Sequence, residues 1–386
     1  MFNNNFCRAA YIKSEVICNL RFLRMKRRFT GWLIVGLLVI FTLGYITIDG
    51  NRVATGNLAS NLTGNLDSTS NAIAPGLDLP PHKDFRLVVI SDLNSQYGST
   101  EYEPEVSQAI ALIPQWQPDL VLCGGDMIAG QKASLTQSQI ELMWAAFDAQ
   151  IAAPLRKHKI PLGFTIGNHD GSGAIKNQTL IFQGEREQAQ AYWQQQQQYL
   201  NFVDRANFPF YYSFQQHNIF FLVWDASTAQ ISPQQLEWIE QTLQTPAAQQ
   251  ASARIVLGHL PLYPVAKTKN RPGEYLEQGN KLRSLLTDNK VFMYVSGHHH
   301  VYYPGRIDSL ELLHGGALGQ GARQLINSEL PPRHTITVID LDLPELELTY
   351  TTYDATTWKK ILLKELPASI SHEDVTIWRR DLVPKN

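Results

Sequence analysis

Three patterns of apolar and polar residues succeed one another along the chain, and each predicts a different kind of structure. Residues 29–48, FTGWLIVGLLVIFTLGYITI, are apolar and carry no charge, a stretch long enough for one bilayer crossing as a helix. Residues 50–79 are rich in Asn, Gly, Ser and Thr without any apolar period and read as a flexible tether. From about Lys83 onward, short apolar runs alternate with helical patterns, the signature of an α/β domain. Residues 85–91 and Leu120–Cys123 read as strands on either side of a helix over 104–116, where Val106, Ile110, Ile113 and Trp116 recur at helical spacing. A long helix is expected within 135–153, and strands at 162–166, 219–224, 254–257 and 291–296. Ser232 and Pro233 make a cap and first-turn pair for the helix PQQLEWIEQTL. The glutamine run at 194–198 is placed inside a helix as a solvated face, and HTITVIDLDL with LELTYTTYD reads as an antiparallel pair.

Charge gives the first pattern an orientation. The formal net charge of −2 conceals seven Lys/Arg against Glu15 alone in residues 1–48, which leaves about −8 on the rest. The main body therefore lacks the basic footprint of a nucleic-acid binder, and no nucleic-acid partner is expected. Five of the basic residues lie between Arg21 and Arg28, directly before the apolar run. The positive-inside rule then puts the amino end in the cytoplasm and everything after Ile48 on the other side of the cytoplasmic membrane. The expected organisation is a basic cytoplasmic segment 1–28, a single-pass transmembrane anchor 29–48, a linker 49–82 and a catalytic domain 83–386. The rival is a cleaved signal peptide and a secreted product, with Met25 as the start and MKRR as its n-region. Against it, the apolar run exceeds the usual ~7–15 residues and no A-x-A site follows. Cys123 is the single cysteine after residue 48, so no disulfide forms within the main body.

The strand ends carry the chemistry. Five strands each stop on a small residue and then on ligand-type side chains: Ser91-Asp92-Leu93-Asn94, Gly124-Gly125-Asp126, Gly167-Asn168-His169-Asp170, Gly258-His259 and Gly297-His298-His299-His300. A strand end is a rigid mount, and glycine lets the backbone turn so that the next side chain points into a shared crevice. Taken singly, each motif is only a turn. Together, aspartates, an amide oxygen and several imidazoles suit a pair of divalent first-row metals.

In this order the motifs resemble those of the calcineurin-like metallophosphoesterase superfamily, D-x-H, G-D-x-x, G-N-H-[DE], G-H and G-H-x-H. The likeness extends from about Phe85 to Tyr353 and includes the Q-x-x-W helix at Gln235–Trp238 and the H-x-P sequence at His259-Leu260-Pro261. The resemblance implies an α/β fold, a four-layer sandwich of two mixed β-sheets flanked by helices, with two divalent metal ions (Mn, Fe or Zn) at one edge. By position, it implies one ion held by Asp92, Asn94, Asp126 and His300. The other would be held by Asp126 as a bridge with Asn168, His259 and His298. His169 would face the leaving group of a phosphate mono- or diester as general acid, while a hydroxide bridging the metals attacks phosphorus.

One position departs from the pattern: where the family has histidine, this chain has Asn94. An amide oxygen is a neutral, harder donor than imidazole, so affinity for softer divalent ions should drop at that site. Three arrangements are open: Asn94 coordinates, it sits behind a water ligand, or the first site is empty and the protein is a metal-binding module that recognises phosphorylated ligands without turning them over. Purple acid phosphatases also lack this histidine but carry a tyrosine three residues after the G-D aspartate, where this chain has Ala129. His299, between two ligand positions, is expected to point away from the metals. LLHGGALGQGARQ reads as a strand running into an ordinary turn, with Arg323 as a phosphate contact the alternative. The loops at 171–184 and 266–277 carry no readable specificity code, and oligomeric state is not legible.

Overall fold

The computed structural model describes residues 81–383. The basic segment, the apolar stretch 29–48 and the tether at 50–79 lie outside these. Among the described residues no helix is long and apolar enough to cross a membrane.

In chain order the strands are β1 (Phe85–Ile90), β2 (Leu120–Cys123), β3 (Leu162–Phe164), β4 (Ile175–Lys176), β5 (Thr179–Leu180), β6 (Asn201–Asn207), β7 (Tyr211–Gln216) and β8 (Ile219–Val223). They continue with β9 (Ala253–Leu257), β10 (Met293–Ser296), β11 (Tyr302–Ile307), β12 (Leu310–Gly315), β13 (Thr335–Asp342), β14 (Glu347–Asp354), β15 (Ser369–His372) and β16 (Val375–Arg379). Two mixed sheets result, five strands in the order β14-β13-β1-β2-β3 and nine in the order β15-β16-β11-β12-β10-β9-β8-β7-β6. Within them β1, β2 and β3 run parallel, as do β8, β9, β10 and β12. Every residue of β1, β2, β9 and β10 is buried, as expected of continuous apolar runs covered on both faces.

The sheets pack on each other through large rings. Phe85 of β1 meets Phe221 of β8 at 6.3 Å between centroids, and the Tyr212 hydroxyl of β7 donates to the Phe164 carbonyl of β3 at 2.6 Å. Phe164 also stacks at 3.6 Å on Trp193 of the helix Gln183–Gln195. On the other side of the smaller sheet, Trp116 stacks on Tyr353 of β14. Helices thus flank an α/β core of mixed sheets.

Most elements fall where the apolar pattern places them, with informative differences. The helix Pro104–Leu112 tightens into a 3₁₀ turn to Trp116. The helix expected within 135–153 begins at Gln137, with Thr136 and Gln139 forming a reciprocal capping box. It widens to a π turn over Asp148–Ala152 and resumes to Lys157; Pro154, which lacks an N–H and crowds the preceding turn, accounts for the break. Ser232 caps its helix by accepting from the Gln235 N–H, as the sequence implies. The glutamine run does not lie wholly in a helix: the helix stops at Gln195, and 196–200 lead into β6. The strand expected at the start of LLHGGALGQGARQ extends to Gly315, so that His314 lies inside β12, where its Nδ1–H donates to the Tyr303 carbonyl of β11 at 3.1 Å.

Candidate active site

The parallel strands decide where the polar residues meet. β1, β2 and β3 of one sheet and β9 and β10 of the other all point their C-terminal ends to the same edge, the usual place for a ligand in an open α/β sheet. Asp92, Asp126, His298 and His300 each take a left-handed backbone, with φ of 51°, 54°, 63° and 54°. For residues with a Cβ this costs about 1–3 kcal/mol each and clusters at functional sites. Two glycines make room: Gly125, at φ +93°, leaves space for His259, and a Cβ at Gly167 would strike the Asp126 carboxylate.

Two groups of ligand-type atoms converge, Asp126 with His259 and His298, and Asp92 with Asp126 and His300; within each group these atoms lie within 4.8 Å of one another. Asp126 belongs to both. Its Oδ1 lies 3.3 Å from His259 Nε2 and accepts the His169 N–H at 2.9 Å, while its Oδ2 lies 3.9 Å from His169 Nε2. Asp92 accepts Ser91 Oγ–H at 2.6 Å and the His298 N–H at 3.0 Å, and its Oδ1 is 3.2 Å from His300 Nε2. The Asn168 oxygen is 2.8 Å from His259 Nε2, and its amide donates to Gln131 Oε1 at 2.7 Å. Asn94 is buried beside them. Its N–H donates to the Asp126 carbonyl at 3.2 Å and its carbonyl accepts from Gln320 at 3.0 Å. Among the described residues its carboxamide has no hydrogen-bond partner.

Backbone carbonyls orient the imidazoles. His259 Nδ1–H donates to Gly124 O at 2.7 Å, His300 Nδ1–H to Gly321 O at 3.0 Å, and His169 Nδ1–H to Gly130 O at 3.1 Å. In each neutral ring, Nε2 is then the lone-pair nitrogen and faces a carboxylate. Lone pairs this close, at His259, Asn168 and Asp126, require a positive charge between them. A proton suffices for one pair: burial opposes it, but Asp126 pulls the His259 pKa upward. A divalent cation satisfies each whole group, so the donor set fits such ions.

The carboxyls respond to the same neighbours. Burial would raise the Asp126 pKa, but His259 and His169 outweigh it and hold the group well below the usual carboxylate range. For Asp92, burial is likewise overcome by His300. Asp170 goes the other way, pushed up to about 7 by burial and by the charge of Asp126.

Several residues that the motif reading left without a role organise this edge. Asp170 accepts N–H groups from Met127 (2.7 Å), Ile128 (2.9 Å) and Gly167 (2.8 Å), tying the turns after β2 and β3 together. Gln131 holds Asn168, and its own N–H is held by Glu185 at 3.0 Å. Glu274, from the loop at 266–277, reaches His298 Nε2 at 3.1 Å. His299 points away from both groups, as expected: its Nδ1 accepts from the Val265 N–H at 3.2 Å and its Nε2–H donates to the Glu274 carbonyl at 2.9 Å. Arg323 donates to Thr268 Oγ1 at 3.2 Å, its backbone N–H bonded to the His300 carbonyl. The adjacency of Asp170 to the G-N-H motif was a visible signal; nothing in the sequence marked Gln131 or Glu274.

Among solved structures, a purple acid phosphatase from yellow lupin (Lupinus luteus) seeds is similar at 18% identity and a TM-score of 0.53, over 73% of this chain and 54% of that one. The chain thus spans about half the length of that enzyme, and the likeness is one of fold. GAP50, the anchor in the inner membrane complex of Plasmodium, is similar at 14% identity and a TM-score of 0.47, over 72% of this chain and 87% of that one. No curated protein matches the sequence. Residues 85–302, more than half of the chain, match the calcineurin-like phosphoesterase family. The chain belongs to that family.

Proposed function

We propose that the protein is a membrane-anchored phosphoesterase that hydrolyses a phosphate mono- or diester on the extracytoplasmic side. In this reading Asp92, Asn94, Asp126 and His300 hold one ion, Asp126, Asn168, His259 and His298 hold the other, and His169 is the general acid. The observation that carries it is the sharing of Asp126 between the two groups, with His169 Nε2 facing its second oxygen at 3.9 Å. Bound there, two divalent ions lower the pKa of water and offset the charge on the phosphoryl oxygens.

The chain supplies orientation and the proton. Because His169 Nδ1–H is engaged by Gly130, Nε2 is the nitrogen that carries the transferable proton and gives it to the departing oxygen, returning the ring to its neutral form. Tyr97 packs on that ring at 5.1 Å between centroids and restricts its rotation. A module that only bound phosphorylated ligands would draw no benefit from a proton donor held in this way.

The purified full chain, supplied with Mn²⁺, should turn over members of a panel of monoesters, diesters and pyrophosphates. Absence of turnover on all of them with metal bound would sink the reading. The anchor rests on the basic cluster before the uncharged stretch 29–48. In intact cells, protease added from outside the cytoplasmic membrane should remove the phosphoesterase domain and spare the amino-terminal segment. Protection of the domain while an exported control is digested would reverse the orientation.

A further inference from the structure

Three consecutive histidines, His298 to His300, close the loop after β10, and the segment 266–277 is strapped over the first two. The strap is pinned at both ends by His299, whose Nδ1 takes the Val265 N–H and whose Nε2–H donates to the Glu274 carbonyl. Between these points the Glu274 carboxylate gathers cations. Lys269 Nζ donates to Oε2 at 2.8 Å, and Arg271 donates to Oε1 at 2.9 Å.

His298 lies between this strap and the cation-binding group. Its Nδ1 faces inward, 3.2 Å from His259 Nε2, and its Nε2 faces outward, 3.1 Å from Glu274 Oε2. A carboxylate accepts only from a protonated nitrogen, so Glu274 selects the Nε2–H tautomer. That leaves the Nδ1 lone pair free for a cation, and a carboxylate behind a ligating imidazole also raises its basicity. Lys269 Nζ lies 3.2 Å from the same Nε2. An ammonium group can only donate, so it selects the opposite tautomer, with a proton on Nδ1 where the cation would sit. Its charge also opposes a cation on the far side of the ring.

We propose that Glu274 is a positioning residue that holds His298 in its ligating tautomer and that Lys269 opposes it, the pair setting how tightly the Asp126–His259–His298 group holds its ion. This rests on the metal assignment made under the proposed function. The two neighbours act through one nitrogen with opposite sign, which a purely structural role for the strap would not produce.

The test is calorimetric titration of the chelator-stripped full chain with Mn²⁺ alone, with circular dichroism to confirm folding. Glu274→Ala should weaken the tighter binding event by about 10–100-fold, the scale of losses when a ligand's hydrogen-bond partner is removed. Glu274→Gln, which keeps an acceptor oxygen without the charge, should recover part of that loss and serves if the alanine variant fails to fold. Lys269→Ala should bind at least as tightly as wild type. A loss under tenfold for Glu274→Ala, no recovery in Glu274→Gln, or a Lys269→Ala loss equal to that of Glu274→Ala overturns the proposal. If wild type itself binds no Mn²⁺, the metal assignment fails instead.

Discussion

The two halves of the site share Asp126, and each has a histidine turned by a backbone carbonyl, but they differ in burial and in how their amide is held. In the Asp126–His259–His298 half, the three side chains are 1%, 0% and 7% exposed, and both imidazoles are braced from behind. The Gly124 carbonyl turns His259, Glu274 turns His298, and Gln131 fixes the neighbouring Asn168 amide. In the Asp92–Asp126–His300 half, Asp92 is as deep and the Gly321 carbonyl turns His300, but the His300 side chain is 13% exposed. The fourth position is Asn94, whose carboxamide has no partner among the described residues. The difference shows where preorganisation is concentrated. A ligand held by outer hydrogen bonds has lost its rotamer freedom before the ion arrives, whereas an unbraced amide must still lose it.

The comparison is broken most severely at the residue common to both halves. Asp126→Asn should lose metal from both halves and lower turnover by at least about 10³-fold, since electrostatic stabilisation alone is commonly worth 10²–10³. Metal analysis alongside kinetics checks it: full metal content with normal turnover would separate Asp126 from both halves. Next in size, His169→Asn should keep its metal and lower the rate by about 10²–10⁴-fold, because in the proposed mechanism His169 gives a proton and holds neither ion. Metal loss in this variant, or an unchanged rate, would remove it from the acid role.

The smallest effect sharpens the contrast between the halves. After dialysis, wild type should retain one ion more tightly than the other, and activity should rise on adding millimolar Mn²⁺. Mn²⁺ accepts oxygen donors readily, whereas Zn²⁺ gains more from nitrogen. Asn94→His should tighten the weaker event by about tenfold, comparable to the gain from a well-placed outer partner. The gain in rate is expected to be smaller than the gain in affinity. Two ions held equally through dialysis, with no improvement from histidine, would mean that the halves do not differ in affinity and that Asn94 is no weak point.

Much of this could be read from the sequence because it is local. An apolar run that ends on glycine and then on aspartate is a statement about a strand, its turn and the next side chain, all within a few residues. Strand ends at Asp92, Asp126, Asn168, His259 and His298 were legible for that reason, and so was the outward direction of His299, which alternation along the loop implies. Less was visible where two rules competed. The glutamine run at 194–198 has good helix propensity, yet the chain turns at Gln196 to start an edge strand, because pairing of β6 with β7 overrides a weak local preference.

Local pattern along the chain sets the strands, their polar ends and the order in which candidate ligands arrive. Tertiary structure decided which of them meet. That Gln131 holds Asn168 from 37 residues away, and that Glu274 reaches His298 across 24, are contacts between turns and loops. Such segments carry no hydrophobic period, so nothing in their sequence encodes a partner. Their geometry is imposed by the buried parallel strands that bring five loops to one edge, and only at that edge do four left-handed residues become affordable and two carboxylates come close enough to share their histidines.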